Sequence, residues 1–235
     1  MIPIDTIVVP QGAEYQAVCR GLKKARANSV RVIPIPIGTK NLEEILASYC
    51  LEIDNARNII IMGLCGGLSK HYSIGDTVLY QSCRNIKNER VNLKSELTTA
   101  ISQELSINLV NGLTCDRLIW QATEKLKLSQ TYPVSVVDME GYDYIKKFQQ
   151  KNITVAMLRI VSDDLTGDIP NLCTAINADG NLETIPMAIA FFKQPLAALR
   201  LIRGSLIGLQ KLQNTTYQLI LACSKSTRIA SPNQY

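Results

Sequence analysis

Residues Val134 to Asp164, VSVVDMEGYDYIKKFQQKNITVAMLRIVSDD, constrain the fold more than any other stretch. Val134 to Val137 is a β-branched run short enough for a buried strand. Glu140 to Gln150 has helical polarity, and Val155 to Val161 is apolar again. This is a βαβ unit, and both of its strands stop at acids: Asp138, Met139 and Glu140 follow the first, Ser162, Asp163 and Asp164 end the second. In an open α/β sheet ligands bind beyond the carboxyl ends of the strands, so the two acidic clusters are expected to meet over one crevice.

The 235 residues, 46% hydrophobic and 19% charged, suit a folded α/β domain rather than a disordered chain. The formal charge of +5 comes from scattered Lys and Arg, and no zinc-finger spacing or RNA-binding aromatic motif accompanies it, which disfavours nucleic acid. Seven cysteines, an odd number with no CxxC, fit reduced thiols and a cytoplasmic setting. No apolar run approaches the roughly 20 residues of a transmembrane helix, and the N-terminus enters an acid-containing strand without a basic and apolar leader. His71, the only histidine, lies in the SKHYS loop and is given no role, and the lack of any other argues against Ser-His-Asp or Cys-His chemistry and most zinc enzymes.

Along the chain, Thr6 to Val9 is a first strand, halted by Pro10-Gln11-Gly12, and a helix from Ala13 to Ala27 then carries Glu14 in its first turn. Two readings of Glu14 stand: it complements the helix dipole, or it points into the crevice. VIPIPI (32–37) is an edge strand, since its prolines remove ladder donors, and a short helix spans Asn41 to Tyr49. NIIIM (58–62) is a fully buried strand, and the GLCGG that follows lets backbone approach a ligand; alone it is also only a tight turn. Gln81 to Lys94 is expected to be a flexible loop, Ser95 to cap a helix ending near Leu105, and Ile107 to Leu113 to be a strand. Leu165 to Asn181 reads as a loop over the site. Leu196, Leu199, Arg203, Leu206 and Leu209 recur at helical spacing, which suits a helix packed on the sheet or an interfacial helix over 196–211 that meets a membrane or lipid. A catalytic domain is expected over 1–213 and a loosely held tail over 214–235.

DMEG followed after a helix by LRIVSDD, with GLCGG and Gly75-Asp76 before them, resembles the nucleoside phosphorylase and nucleosidase superfamily from about residue 6 to residue 212. The resemblance implies a three-layer α/β/α domain with a central mixed sheet, a homo-oligomer, and cleavage of a purine N-glycosidic bond, adenine being the expected base. It implies that Glu140 bonds the ribose hydroxyls, Met139 packs under the sugar, Asp163 faces the purine with Ser162 steadying it, Glu14 activates water, and Gly66 and Gly67 form the glycine turn. TCDRLI (114–119) resembles the base-contacting segment, with Leu118 where an aromatic commonly stacks and the backbone of Ile119 reading the purine edge. The chemistry agrees: cleavage builds positive charge on the sugar and negative charge on the base, so an acid near the purine and a carboxylate near the sugar both lower the barrier. No metal or cofactor is expected.

Phosphate remains an alternative acceptor to water. Phosphorylases of the bacterial purine type have an Arg two residues before the first turn glycine and a Ser just after it, and this chain has Ile61 and Leu64 there. Their GDPxR is replaced by QGAE, which favours water; Arg20 or an Arg of a neighbouring subunit is the other source of charge. ADG (178–180) with KQPLAALRLIRGSLIGLQKL is similar to hopanoid-associated nucleoside phosphorylases, so a lipid-linked nucleoside such as adenosylhopane is carried as a substrate beside small nucleosides. A non-catalytic nucleoside-binding member of the fold, and a nucleotide-cofactor enzyme using GLCGG, are the rival functions.

Overall fold

A computed structural model describes residues 4–39, 42–177 and 181–229. The chain opens with β1 (Thr6–Pro10), α1 (Ala13–Ala25) and β2 (Arg31–Ile35). Short helices α2 (Leu42–Ser48) and α3 (Cys50–Asp54) lead into β3 (Asn58–Gly67). Then come β4 (Thr77–Asn85), β5 (Arg90–Asn92), α4 (Glu96–Leu105) and β6 (Asn108–Thr114). The rest is α5 (Ala122–Thr131), β7 (Val136–Asp138), α6 (Gly141–Gln150), β8 (Thr154–Asp163), α7 (Thr184–Lys193) and α8 (Pro195–Ile229).

The sheet is mixed and partly closed on itself. β3 pairs with β7, β7 with β6, β6 with β4, β4 with β8, and β8 with β3 again. β1 and then β2 extend it from β3, leaving β2 on the edge as its prolines require, and β5 hangs on β4. Alternate residues of β3 face two cores, which is why the run is apolar throughout. Ile59 and Ile61 pack with Leu46 of α2, Ile53 of α3 and Phe148 of α6, whereas Ile60 and Met62 pack with Leu22 of α1, Ile101 of α4 and Leu212 of α8. Helices therefore cover both faces, giving the α/β/α layering with a central mixed sheet. At the start of α4 the Ser95 hydroxyl accepts the Thr98 N–H at 3.1 Å, as a capping serine should.

Three local expectations are corrected. β7 and β8 are not parallel neighbours: β7 reaches Gly66 of β3 antiparallel, at Val137, while β8 reaches the same residue running parallel, at Asp163. The acidic ends thus meet because β3 lies between them, not because one βαβ unit aligns them. Gln81 to Lys94 is a β-hairpin rather than a loop, with Ser82 opposite Asn92 and Arg84 opposite Arg90, and with Ser82 and Cys83 buried beneath its polar exterior. Residues 214–229 of the expected tail continue α8, whose Thr216, Leu219 and Ile220 are buried, and residues 230–235 lie outside the described residues. α8 does pack on the sheet, with Leu209 and Leu212 against the core, but along its first half the residues set closest to the sheet are small. A side chain at Gly204 would run into the Ser162 carbonyl and one at Gly208 would meet Leu64, so Leu196, Leu199 and Leu206 are turned outward. Asn41 and the ADG stretch (178–180) lie outside the described residues.

Candidate active site

The carboxyl ends of β1, β3, β7 and β8 enclose a crevice of about 160 Å³. Glu14, Leu64, Gly66, Leu118, Met139, Glu140, Ser162 and Asp163 all line it. Gly67 lies just behind, where an added side chain would touch the Asp163 backbone, and the Ile119 side chain is buried in a small core with Leu68 and Val137. Wider hollows of about 490 and 590 Å³ open beside α3 and over α5, but neither gathers the acids at the strand ends. Among the described residues no three His, Cys, Asp or Glu side chains gather as metal ligands.

Glu14 reaches the crevice from the first turn of α1, and its Oε1 accepts the Leu64 N–H at 2.6 Å. Gly63 makes this approach feasible, because a side chain there would sit 2.7 Å from Glu14 Oε1 and would collide with Arg159. Burial pushes the Glu14 carboxyl up to about 7; Arg159 and the Leu64 N–H pull against that, and Glu140 adds to it. A carboxyl poised there can exchange a proton near neutral pH. Glu140 is also raised by burial, with the Arg159 guanidinium opposing.

Arg159, in the middle of β8, has no exposure at all. Its Nη2 donates to Glu140 Oε1 at 2.7 Å and its Nη1 to the Met62 carbonyl at 3.5 Å. Burial pulls its affinity for the proton down, but Glu140, Asp138 and Glu14 hold it above its ordinary value, so it is a fixed cation beneath two crevice carboxylates. The sequence carried a signal for it: a lone Arg within the apolar run TVAMLRIV has to be paired if the strand is buried.

On the other wall, Ser162 Oγ donates to Asp163 Oδ2 at 3.0 Å, and Lys125 of α5 forms an ion pair with Asp163 Oδ1 and donates to the Asp164 carbonyl at 3.3 Å. Lys125 too is fully buried. Nothing in ATEKLKLSQT singles it out among neighbouring lysines, because its partner is 38 positions away. Beneath the DMEG turn, Asp138 accepts Tyr80 OH at 2.8 Å, Thr114 Oγ1 at 2.7 Å and the Gly141 N–H at 2.8 Å. That network fixes the turn presenting Met139 and Glu140. Burial holds the Cys65 thiol well above its usual range, so it is no nucleophile.

The model of the phosphorylase superfamily matches residues 8–184. The chain belongs to that superfamily. By family it is thus a nucleoside hydrolase or phosphorylase. Solved structures share its fold. A 5′-methylthioadenosine/S-adenosylhomocysteine nucleosidase from Helicobacter pylori superposes with a TM-score of 0.65 at 14% identity, covering 94% of this chain and 97% of that one. A nucleosidase of the same description from Neisseria meningitidis gives 0.64 at 15%, over 95% and 100%. Futalosine hydrolase of Helicobacter pylori gives 0.62 at 14%, over 94% and 97%. No curated protein sequence matches the chain.

Within this superfamily member, the positions compared with phosphorylases separate. Leu64 lines the crevice, but Ile61 is buried among the core residues on one sheet face, so its apolar character reflects packing and not the acceptor. Arg20 binds Gln213 of α8 at 3.0 Å and is absent from the crevice lining. The loop before α7 is tied to the site's rims, since Asn181 accepts from Gln11 and Cys173 Sγ donates to the Leu118 carbonyl at 3.8 Å.

Proposed function

We propose that the chain hydrolyses the N-glycosidic bond of a purine nucleoside, with water as acceptor. One observation carries the choice of water: the Glu14 carboxyl, raised to about 7, occupies the Leu64 N–H of β3. A carboxylate there repels a phosphate dianion and takes a proton from water. In this reading Glu14 deprotonates the water that attacks C1′. Glu140, oriented by Arg159, bonds the ribose hydroxyls, and Met139 packs under the sugar. Asp163, held by Ser162 and ion-paired with Lys125, takes a proton from the Lys125 ammonium and passes it to the departing purine. Gly66 and Gly67 leave room for it, and Leu118 and the Ile119 backbone meet the base.

Adenine as the base rests on the resemblance and on the nucleosidases sharing the fold. A lipid-linked nucleoside such as adenosylhopane belongs to the same reading, supported by the outward leucines of α8. So do a cytoplasmic setting and a homo-oligomer.

The test is base release from adenosine, methylthioadenosine, adenosylhomocysteine and adenosylhopane in phosphate-free buffer, with the sugar product identified. Free sugar at full rate, lost in Glu14→Gln, is the expected result. Strict phosphate dependence with a sugar 1-phosphate would replace water by phosphate, and no release from any nucleoside would leave a binding protein.

A further inference from the structure

α7 and the first half of α8 form a surface that no part of the described chain covers. Ile185, Ile189, Phe192, Leu196, Leu199 and Leu206 are all at least half exposed, Phe192 at 89%. Their outward aim is built into the packing, because α8 is held against β8 and β3 through Gly204 and Gly208 and cannot turn without driving a side chain into the Ser162 carbonyl. A contiguous apolar patch kept exposed in this way marks an interaction surface.

Charge decides the occupant. From Thr184 to Tyr235 the chain has no Asp or Glu, whereas Lys193, Arg200, Arg203, Lys211, Lys225 and Arg228 fall in the same stretch. Glu183 precedes α7, and Asp164 and Asp168 approach from the preceding loop. Asp168 accepts the Ala122 N–H at 2.8 Å, toward α5, while Asp164, which accepts the Thr166 hydroxyl at 2.6 Å, lines a hollow with Leu199, Arg200 and Arg203 and offsets part of the charge at that edge. A second copy would bring this patch against itself about a two-fold axis, setting cation against cation with no acid on either helix to offset them. An anionic lipid surface takes the apolar side chains into its acyl boundary and pairs the cations with headgroup phosphates. No described helix is long and apolar enough to cross a membrane, so the contact is peripheral.

We propose that the α7–α8 face docks the protein on an anionic bilayer, with Phe192 and Leu196 inserted and Lys193 and Arg203 on the headgroups. The proposal goes beyond the hydrolase reading and does not depend on it, since docking is read without substrate.

Flotation with phosphatidylglycerol-containing vesicles and with pure phosphatidylcholine vesicles tests it. The intact chain should float with the anionic vesicles, weakly with the neutral ones, and less as salt rises. Lys193→Gln with Arg203→Gln should lower binding to anionic vesicles roughly 30-fold. Phe192→Gln with Leu196→Gln should abolish insertion while the melting temperature and base release from adenosine, which has no lipid part, stay unchanged, because both side chains lie in solvent. Equal binding to both vesicle types, or none to either at low salt, overturns the proposal. So does a dimer of the intact chain that Phe192→Gln with Leu196→Gln dissolves, which would assign the face to a second copy.

Discussion

Four carboxyl groups line the crevice: Asp138 is held by the network under its turn, Glu140 by Arg159, and Asp163 and Glu14 each in a different way. Asp163 is governed by Lys125. Under the proposed mechanism Asp163→Asn cannot deliver a proton, so kcat/KM should fall by about 10²- to 10⁴-fold, and the variant should also be less stable because Lys125 loses its partner. Lys125→Met instead leaves a buried carboxylate without its cation and should lower stability by about 3–5 kcal/mol, with much of the loss recovered when Asp163→Asn is added. Denaturant titrations of the two single variants and the double variant check this; additive losses would mean that the pair does not interact. Glu14 is governed by burial. Its folded value of about 7 exceeds the ordinary 4.5, so the fold favours the protonated form. Its contribution to stability is full below 4.5 and is lost as pH rises through about 7, so Glu14→Gln should be the more stable protein in alkaline buffer. As a base Glu14 works only when ionised, so base release should climb through the same midpoint. A rate constant in pH across that range would remove Glu14 from proton transfer.

At the scale of elements, α8 shows how a helix can be legible in the sequence while its face is not. The leucine spacing gives the helix correctly. The usual inference from it, that the leucines face the sheet, holds for Leu209 and Leu212 but fails for Leu196, Leu199 and Leu206, because Gly204 and Gly208 allow a closer approach than leucines could and take the inner face there. Gly204→Ala should therefore overpack against the Ser162 carbonyl, costing about 1–3 kcal/mol and disturbing the neighbouring Asp163, whereas Leu199→Gln, in solvent, should leave the melting temperature unchanged. Thermal denaturation of the two variants decides which face carries the packing. The same helix shows why residues 214–229 were misread: their apolar positions are few, yet Leu219 and Ile220 bury beside α1 and α4. Deleting residues 214–235 removes those side chains, each contributing about 1.5–3 kcal/mol, and should cause a marked fall in melting temperature or insolubility. An unchanged melting temperature would restore the tail.

For the whole molecule, the sequence by itself determined what local pattern determines. Strand and helix periods, edge prolines, the Ser95 cap and the acids at strand ends were readable, because each depends on residues within a few positions of one another, whereas GLCGG, which reads as a turn, is the end of β3. Even Arg159 left a trace, as one charge in an apolar strand. Only the tertiary structure decided the partners. Whether β7 lies beside β8 or reaches Gly66 of β3 from the other direction changes no local preference, yet it is what brings Val137 and Asp163 to one residue. Glu14 meets Leu64 across 50 positions and Lys125 meets Asp163 across 38. Those contacts follow from how the sheet closes and which helix face approaches it, and the energy that selects them is that of burying whole faces together, which no single segment encodes.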